Sequence, residues 1–141
     1  HYPSVEQIDW RGELAVAPDD AVQILVAGIT WREIDDHKNH TPRLRDRAQR
    51  VSKQLSQWLR AAPATLRKGV TIAGALRPPV IDFAAEGLDP ANHDDVLVAT
   101  ALAYQRAHAE DRVVLVTQDG YPAARALEFG LVVHELPDHL R

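Results

Sequence analysis

Two short runs dominated by branched apolar residues, 22–29 (VQILVAGI) and 113–117 (VVLVT), constrain the fold more than any other feature. Apolar side chains at successive rather than alternate positions suit a strand covered on both faces, which is the condition of a parallel sheet. Parallel strands need long crossovers, and helical patterns follow both runs. Behind the first, Thr30 and Glu33 have the spacing of a capping box, in which hydroxyl and carboxylate each satisfy an orphan amide. After Pro42, the residues Leu44, Ala48, Val51, Leu55, Trp58, Leu59 and Ala62 make one helical stripe that Pro63 closes. The stretch 65–79 reads poorly, with a short strand at 70–73 and a break at Pro78 and Pro79. Asn92, Asp94 and Asp95 then place capping chemistry before a helix at 96–108 that is apolar nearly all round. Behind the second run comes a helix at 122–129, with Pro122 in its first turn and Gly130 as its stop, and then a last strand at 131–134. Strand, helix, strand, helix, strand predicts an α/β protein: a Rossmann-like three-layer sandwich with a central, mainly parallel sheet, organised as a single domain over 1–141.

Composition removes several chemistries. The 141 residues include no Cys, which excludes disulfides, thiolate zinc sites, iron-sulfur clusters and thiol nucleophiles, and suggests a cytoplasmic protein. No run reaches the ~20 apolar residues of a membrane helix. No phosphate-cradling glycine loop and no G-x-S-x-G elbow occurs, so ATP, NAD and serine-hydrolase chemistry have no local support. Met is also absent, even at position 1, so translation is expected to begin upstream of His1.

The net charge of -4 conceals a division along the chain. Residues 38–68 carry nine bases and one acid, Asp46, whereas the rest carry seven bases and nineteen acids. Lys38, Arg43, Arg45, Arg47 and Arg50 head this stripe, and such a density can bind phosphates by counterion release even on an acidic protein. A solvated helix face is the plainer reading. His37 and His40 are spaced to offer zinc two imidazoles, with no third ligand indicated.

Three acids stand where strands give way to helices: Glu33, Asp95 and Asp119. In open parallel sheets the crevice beyond the carboxyl ends of the strands collects ligands, so acids at these junctions can converge although far apart in sequence. Convergent carboxylates attract a hard cation such as Mg²⁺ or Mn²⁺, which relieves their repulsion and activates water. Each acid also has a structural reading, Glu33 and Asp95 as helix caps and Asp119 as a turn former.

The segment 31–38 (WREIDDHK), followed by 44–48 (LRDRA), resembles the first helical motif of PIN-domain nucleases. Segment 94–102 (DDVLVATAL) is similar to their second motif, and 114–119 (VLVTQD), with Ala126 and Gly130 downstream, to their third. The resemblance covers most of the chain, from about 22 to 135, and implies a PIN-like fold. It implies Glu33, Asp95 and Asp119 as carboxylates of the metal site, Asp94 as a weaker neighbour and Thr117 as a steadying hydroxyl. The family's opening strand, which ends in an Asp-Thr-Asn-like motif, has no counterpart here and is expected to lie before His1.

These readings converge on a metal-dependent endoribonuclease using Mg²⁺ or Mn²⁺ on single-stranded RNA. Glu33, Asp95 and Asp119 would be catalytic, and Lys38, Arg43, Arg45, Arg47 and Arg50 would grip phosphates. The alternative is a PIN-like module that binds nucleic acid or protein without catalysis. A homodimer or a further domain of the same protein is compatible with either.

Overall fold

In the computed structural model, residues 7–40, 42–60 and 63–137 are described, apart from the side chains of His37, Lys38 and Leu44. They fall into two compact units, one ending at Arg77 and the other running from Pro78.

The first unit opens with a short helix, α1 (Trp10–Glu13), capped by the Asp9 carboxylate on the Gly12 N–H. Arg11 then holds the following turn by donating to the Ala17, Pro18 and Asp20 carbonyls. Strand β1 (Val22–Ala27) pairs in parallel with β3 (Val70–Ala75), in a register running from Val22 opposite Val70 to Ala27 opposite Ala75. Between them lie α2 (Gly28–His40), a 3₁₀ turn (Pro42–Leu44), α3 (Arg45–Arg60) and β2 (Ala64–Arg67). Strand β2 returns antiparallel on β3, giving the order β1-β3-β2.

The expected capping box does not form. Strand β1 runs directly into α2 at Gly28, so Thr30 is already inside the helix and no residue between them remains to act as cap. That direct entry depends on glycine: a Cβ at Gly28 would lie 2.9 Å from the Leu76 carbonyl oxygen. Glu33 consequently sits in the second turn, exposed.

The stripe of α3 is rotated from the expected one. Ala48, Ser52 and Leu55 are buried while Val51 is 40% exposed. Helices α2 and α3 pack together, and a small side chain at the contact lets two helices approach closely. The Ser52 hydroxyl turns toward Asp35 Oδ1 of α2 at 3.5 Å, the outer limit of a hydrogen bond. Ala62, the last member of the expected stripe, lies outside the described residues.

The second unit contains α4 (Phe83–Glu86), α5 (His93–Ala107), β4 (Val114–Val116), α6 (Gly120–Glu128) and β5 (Val132–His134). Strands β4 and β5 pair in parallel, Val114 opposite Val132 and Val116 opposite His134, with α6 as the crossover. Val98, Leu102, Leu115, Ala126 and Leu131 form the core, and Ile81, Leu97, Ala101, Phe129 and Val133 pack around it. Helix α6 ends as its sequence predicts. Gly130, at φ +74°, donates to the Leu127 carbonyl and Leu131 to the Ala126 carbonyl, a Schellman pair that turns Leu131 back into the core. The loop before β4 is held by Gln105, whose amide donates to the His108 and Asp111 carbonyls and accepts from the Val113 N–H.

The class is therefore α/β with mainly parallel pairing, and among the described residues its strands form a three-stranded and a two-stranded sheet. Among the described residues only β2 pairs antiparallel, on β3.

Candidate functional site

The second unit holds three of the four acids singled out by sequence, and it places them around the start of α5 and α6. Asn92 caps α5, its side chain accepting from the Asp95 N–H at 3.1 Å. That cap fixes the first turn and points Asp95 inward, where it is only 3% exposed. Its carboxylate is engaged at both ends: Oδ2 accepts the Asp89 N–H at 2.8 Å and Oδ1 accepts the Tyr121 hydroxyl at 2.9 Å. Asp95 is thus not the helix cap; Asn92 is. A buried carboxylate with two donors aimed at it is held in one position, and removing either donor would leave an oxygen short of a partner.

Asp119 occupies the N-cap position of α6, yet its carboxylate makes no capping bond and is exposed. The helix itself begins at Gly120, so Pro122 lies in its first turn as expected although two residues past its start. Thr117 Oγ1 accepts the Asp119 N–H at 3.2 Å, which sets the backbone on which Asp119 is presented. Asp94, half buried, adds to the negative field at Tyr121.

Tyr121 has no counterpart in the motifs read from sequence, and it is what ties α6 to α5 at this end. Its phenol is held above the usual tyrosine range, first because the hydroxyl donates to Asp95, with burial and the Asp95 charge adding and Arg125 opposing. The only signal in the sequence is its position two residues after Asp119, where hydrophobic patterning gives an aromatic no special weight.

Glu33 and the basic helix belong to the first unit. Arg43, Arg45, Arg47, Arg50 and Lys53 are all exposed. Arg50 and Lys53, with Asp46 and Gln49, line an open depression along α3. The side chains of Lys38 and His37 lie outside the described ones, and His40 is exposed.

As metal donors the acids have the right chemistry, since hard carboxylate oxygens suit Mg²⁺ and Mn²⁺. Their number does not suffice as arranged. Within neither unit do the described residues gather three or more His, Asp or Glu groups able to hold an ion. Both Asp95 oxygens also already accept protein donors. Asp95 is tied to Asp89 and Tyr121, and Thr117 to the Asp119 backbone; these are two separate sets of hydrogen bonds at the starts of α5 and α6, not a finished cage.

Among the described residues no helix is long and apolar enough to cross a membrane. The family model described as PIN domain matches residues 5–136. No curated protein and no solved structure matches the chain.

Proposed function

Because the chain belongs to the PIN-domain family, whose members are nucleases in general, we propose that it is a metal-dependent endoribonuclease hydrolysing phosphodiester bonds of single-stranded RNA in the cytoplasm. The observation that carries this reading is the family match over nearly the whole chain. Two acids of the second unit support it: Asp95, buried at the start of α5 and bonded to Tyr121 of α6, and Asp119, exposed two residues before Tyr121 and serving no cap.

In this reading Asp95 and Asp119 of the second unit and Glu33 of the first are the catalytic acids, with Asp94, next to Asp95 in the chain, as a weaker neighbour. Asp95 keeps its carboxylate in one orientation through Asp89 and Tyr121, and Thr117 steadies the backbone of Asp119. Mg²⁺ or Mn²⁺ belongs to the proposal because the family's nucleases typically use divalent metals, although the described acids of either unit do not by themselves make a cage for one. Phosphate contacts fall to Arg43, Arg45, Arg47 and Arg50, with Lys38. All four arginines are exposed, and residues 38–68 include a single acid, Asp46. Single strands suit such a helix because a flexible backbone can follow a row of cations without base readout.

The test is cleavage of a labelled single-stranded RNA by the full chain in Mn²⁺ and in EDTA, with Asp95→Asn and Asp119→Asn alongside. Metal-dependent cleavage lost in both folded variants is expected. A second reading, a PIN-like module that binds nucleic acid or protein without catalysis, is favoured by the engaged state of Asp95 and by the lack of a three-acid group among the described residues of either unit. RNA binding with no cleavage under any divalent ion would select it.

A further inference from the structure

Among the described residues, aromatic side chains are withdrawn from solvent with one exception. Trp10 is buried, while Trp31, Trp58, Phe83, Tyr104 and Phe129 are partly covered. Tyr104 is further engaged by stacking on His108, its ring centroid 3.9 Å away, and Phe129 lies under the Arg125 guanidinium. Tyr121 is 49% exposed. Exposed aromatics are usually mobile, but this one is tethered: its hydroxyl donates to Asp95, which is itself fixed by the Asp89 N–H. The ring therefore stands in solvent with its far end anchored. Next to it in sequence, Gly120 carries no side chain, and a Cβ there would meet nothing within 4 Å beyond its chain neighbours and its own helix.

We propose that the Tyr121 ring is a stacking platform for a nucleobase of the single-stranded substrate, placing one nucleotide beside Asp95, to which the tyrosine is bonded, and at the start of α6, where Asp119 is exposed. Three features select a base over a phosphate or an apolar partner. The neighbours Asp94, Asp95 and Asp119 are acidic and would repel an unshielded phosphate, whereas a base is neutral and offers N–H donors to carboxylates. The ring is held before the substrate arrives, so little side-chain freedom is lost on stacking. The contact also falls two residues from Asp119 and one hydrogen bond from Asp95, where a substrate nucleotide has to be placed. The inference rests on the single-strand nuclease reading and adds a subsite to it.

The test compares Tyr121→Phe with Tyr121→Leu in the full chain. Both lose the bond to Asp95, and only the second loses the ring. Binding of a labelled oligoadenylate and of an abasic oligomer with the same phosphates is measured by anisotropy in EDTA, with thermal melting as a check on folding. Leucine is expected to weaken oligoadenylate binding about tenfold relative to phenylalanine, the low end of one base–aromatic stack, and to leave the abasic oligomer unaffected. Equal affinities of the two variants for oligoadenylate would overturn the proposal, as would an equal loss on the abasic oligomer. A difference in self-association in place of RNA affinity would also overturn it, by assigning the ring to an interface between copies. Failure of the wild-type chain to bind any RNA would instead bring down the nuclease reading, and this subsite with it.

Discussion

Replacing Asp95 separates its structural role from its proposed chemical one, because Asn and Ala damage the same two hydrogen bonds differently. In Asp95→Ala the part-buried Asp89 N–H loses its acceptor, while Tyr121, half exposed as a residue, can swing its freed hydroxyl to water. A bond to a charged group contributes about 1.5–3 kcal/mol and stranding the donor adds on the order of 1 kcal/mol, so the alanine variant is expected to lose about 2.5–4 kcal/mol. In Asp95→Asn the side-chain oxygen can keep the Asp89 N–H, and the amide can donate to Tyr121, whose hydroxyl also accepts. Two charge-assisted bonds become neutral ones, partly offset by no longer burying a charge, and the net loss is about 1 kcal/mol. Urea unfolding of the full chain reads both values from the shift in midpoint at unchanged slope. Equal stability of the two variants, or an alanine variant as stable as wild type, would refute the hydrogen-bond reasoning. If the nuclease reading is right as well, the asparagine variant stays folded and fails to cleave RNA.

Other expectations follow from single features. Neutralising Arg43, Arg47 and Arg50 should flatten the salt dependence of RNA binding, by up to about 2 units of log–log slope if each contacts a phosphate of a single strand; an unchanged slope would remove them from the interface. Gly130→Ala should cost about 1–2 kcal/mol from backbone strain alone, because nothing lies within 4 Å of the new Cβ; equal stability to wild type would contradict the left-handed turn. Leu102→Ala in the second unit's core should cost about 2–5 kcal/mol by urea unfolding. The Tyr121 phenol is raised above its ordinary value of 10.0, so its stabilising effect is complete below that value and lost as pH climbs through the elevated one. The stability gap between wild type and Tyr121→Phe should thus be level at lower pH and close in alkali, and a gap that persists there would deny the bond to Asp95.

How far the sequence carried depends on where each signal resides. Strands β1 and β4 were legible because unbroken runs of branched apolar residues leave few alternatives. The end of α6 was legible because its stop is a local matter of Gly130. Strand β2 was not: its four residues alternate between half-buried and exposed, as an edge strand does, and it is defined chiefly by its partner β3. The rotated stripe of α3 was hidden for a related reason. Patterning prefers Val51 to Ser52, but the approach of α2 favours the smaller side chain, and only packing reveals that. At the candidate site, the positions of Asp95 and Asp119 could be read from strand and helix order. The engagement of Asp95 by Asp89 and Tyr121 depends on contacts six and twenty-six residues apart that no motif encodes.

The crossover between β4 and β5 limits which changes in length the chain can tolerate. Helix α6 is fastened at one end by Tyr121 to Asp95 and at the other by the Leu131 N–H on Ala126, with both flanking strands locked in register. One residue inserted between those two fastenings would turn one end against the other by about 100°. Either the Tyr121 hydroxyl would swing off Asp95 or Leu131 and β5 would leave their places in the core and in register with β4. Substitutions on the outer face of α6, at Ala124 or Leu127 for example, carry no such penalty. Sequence variation in this segment should therefore take the form of exchanged side chains at constant length.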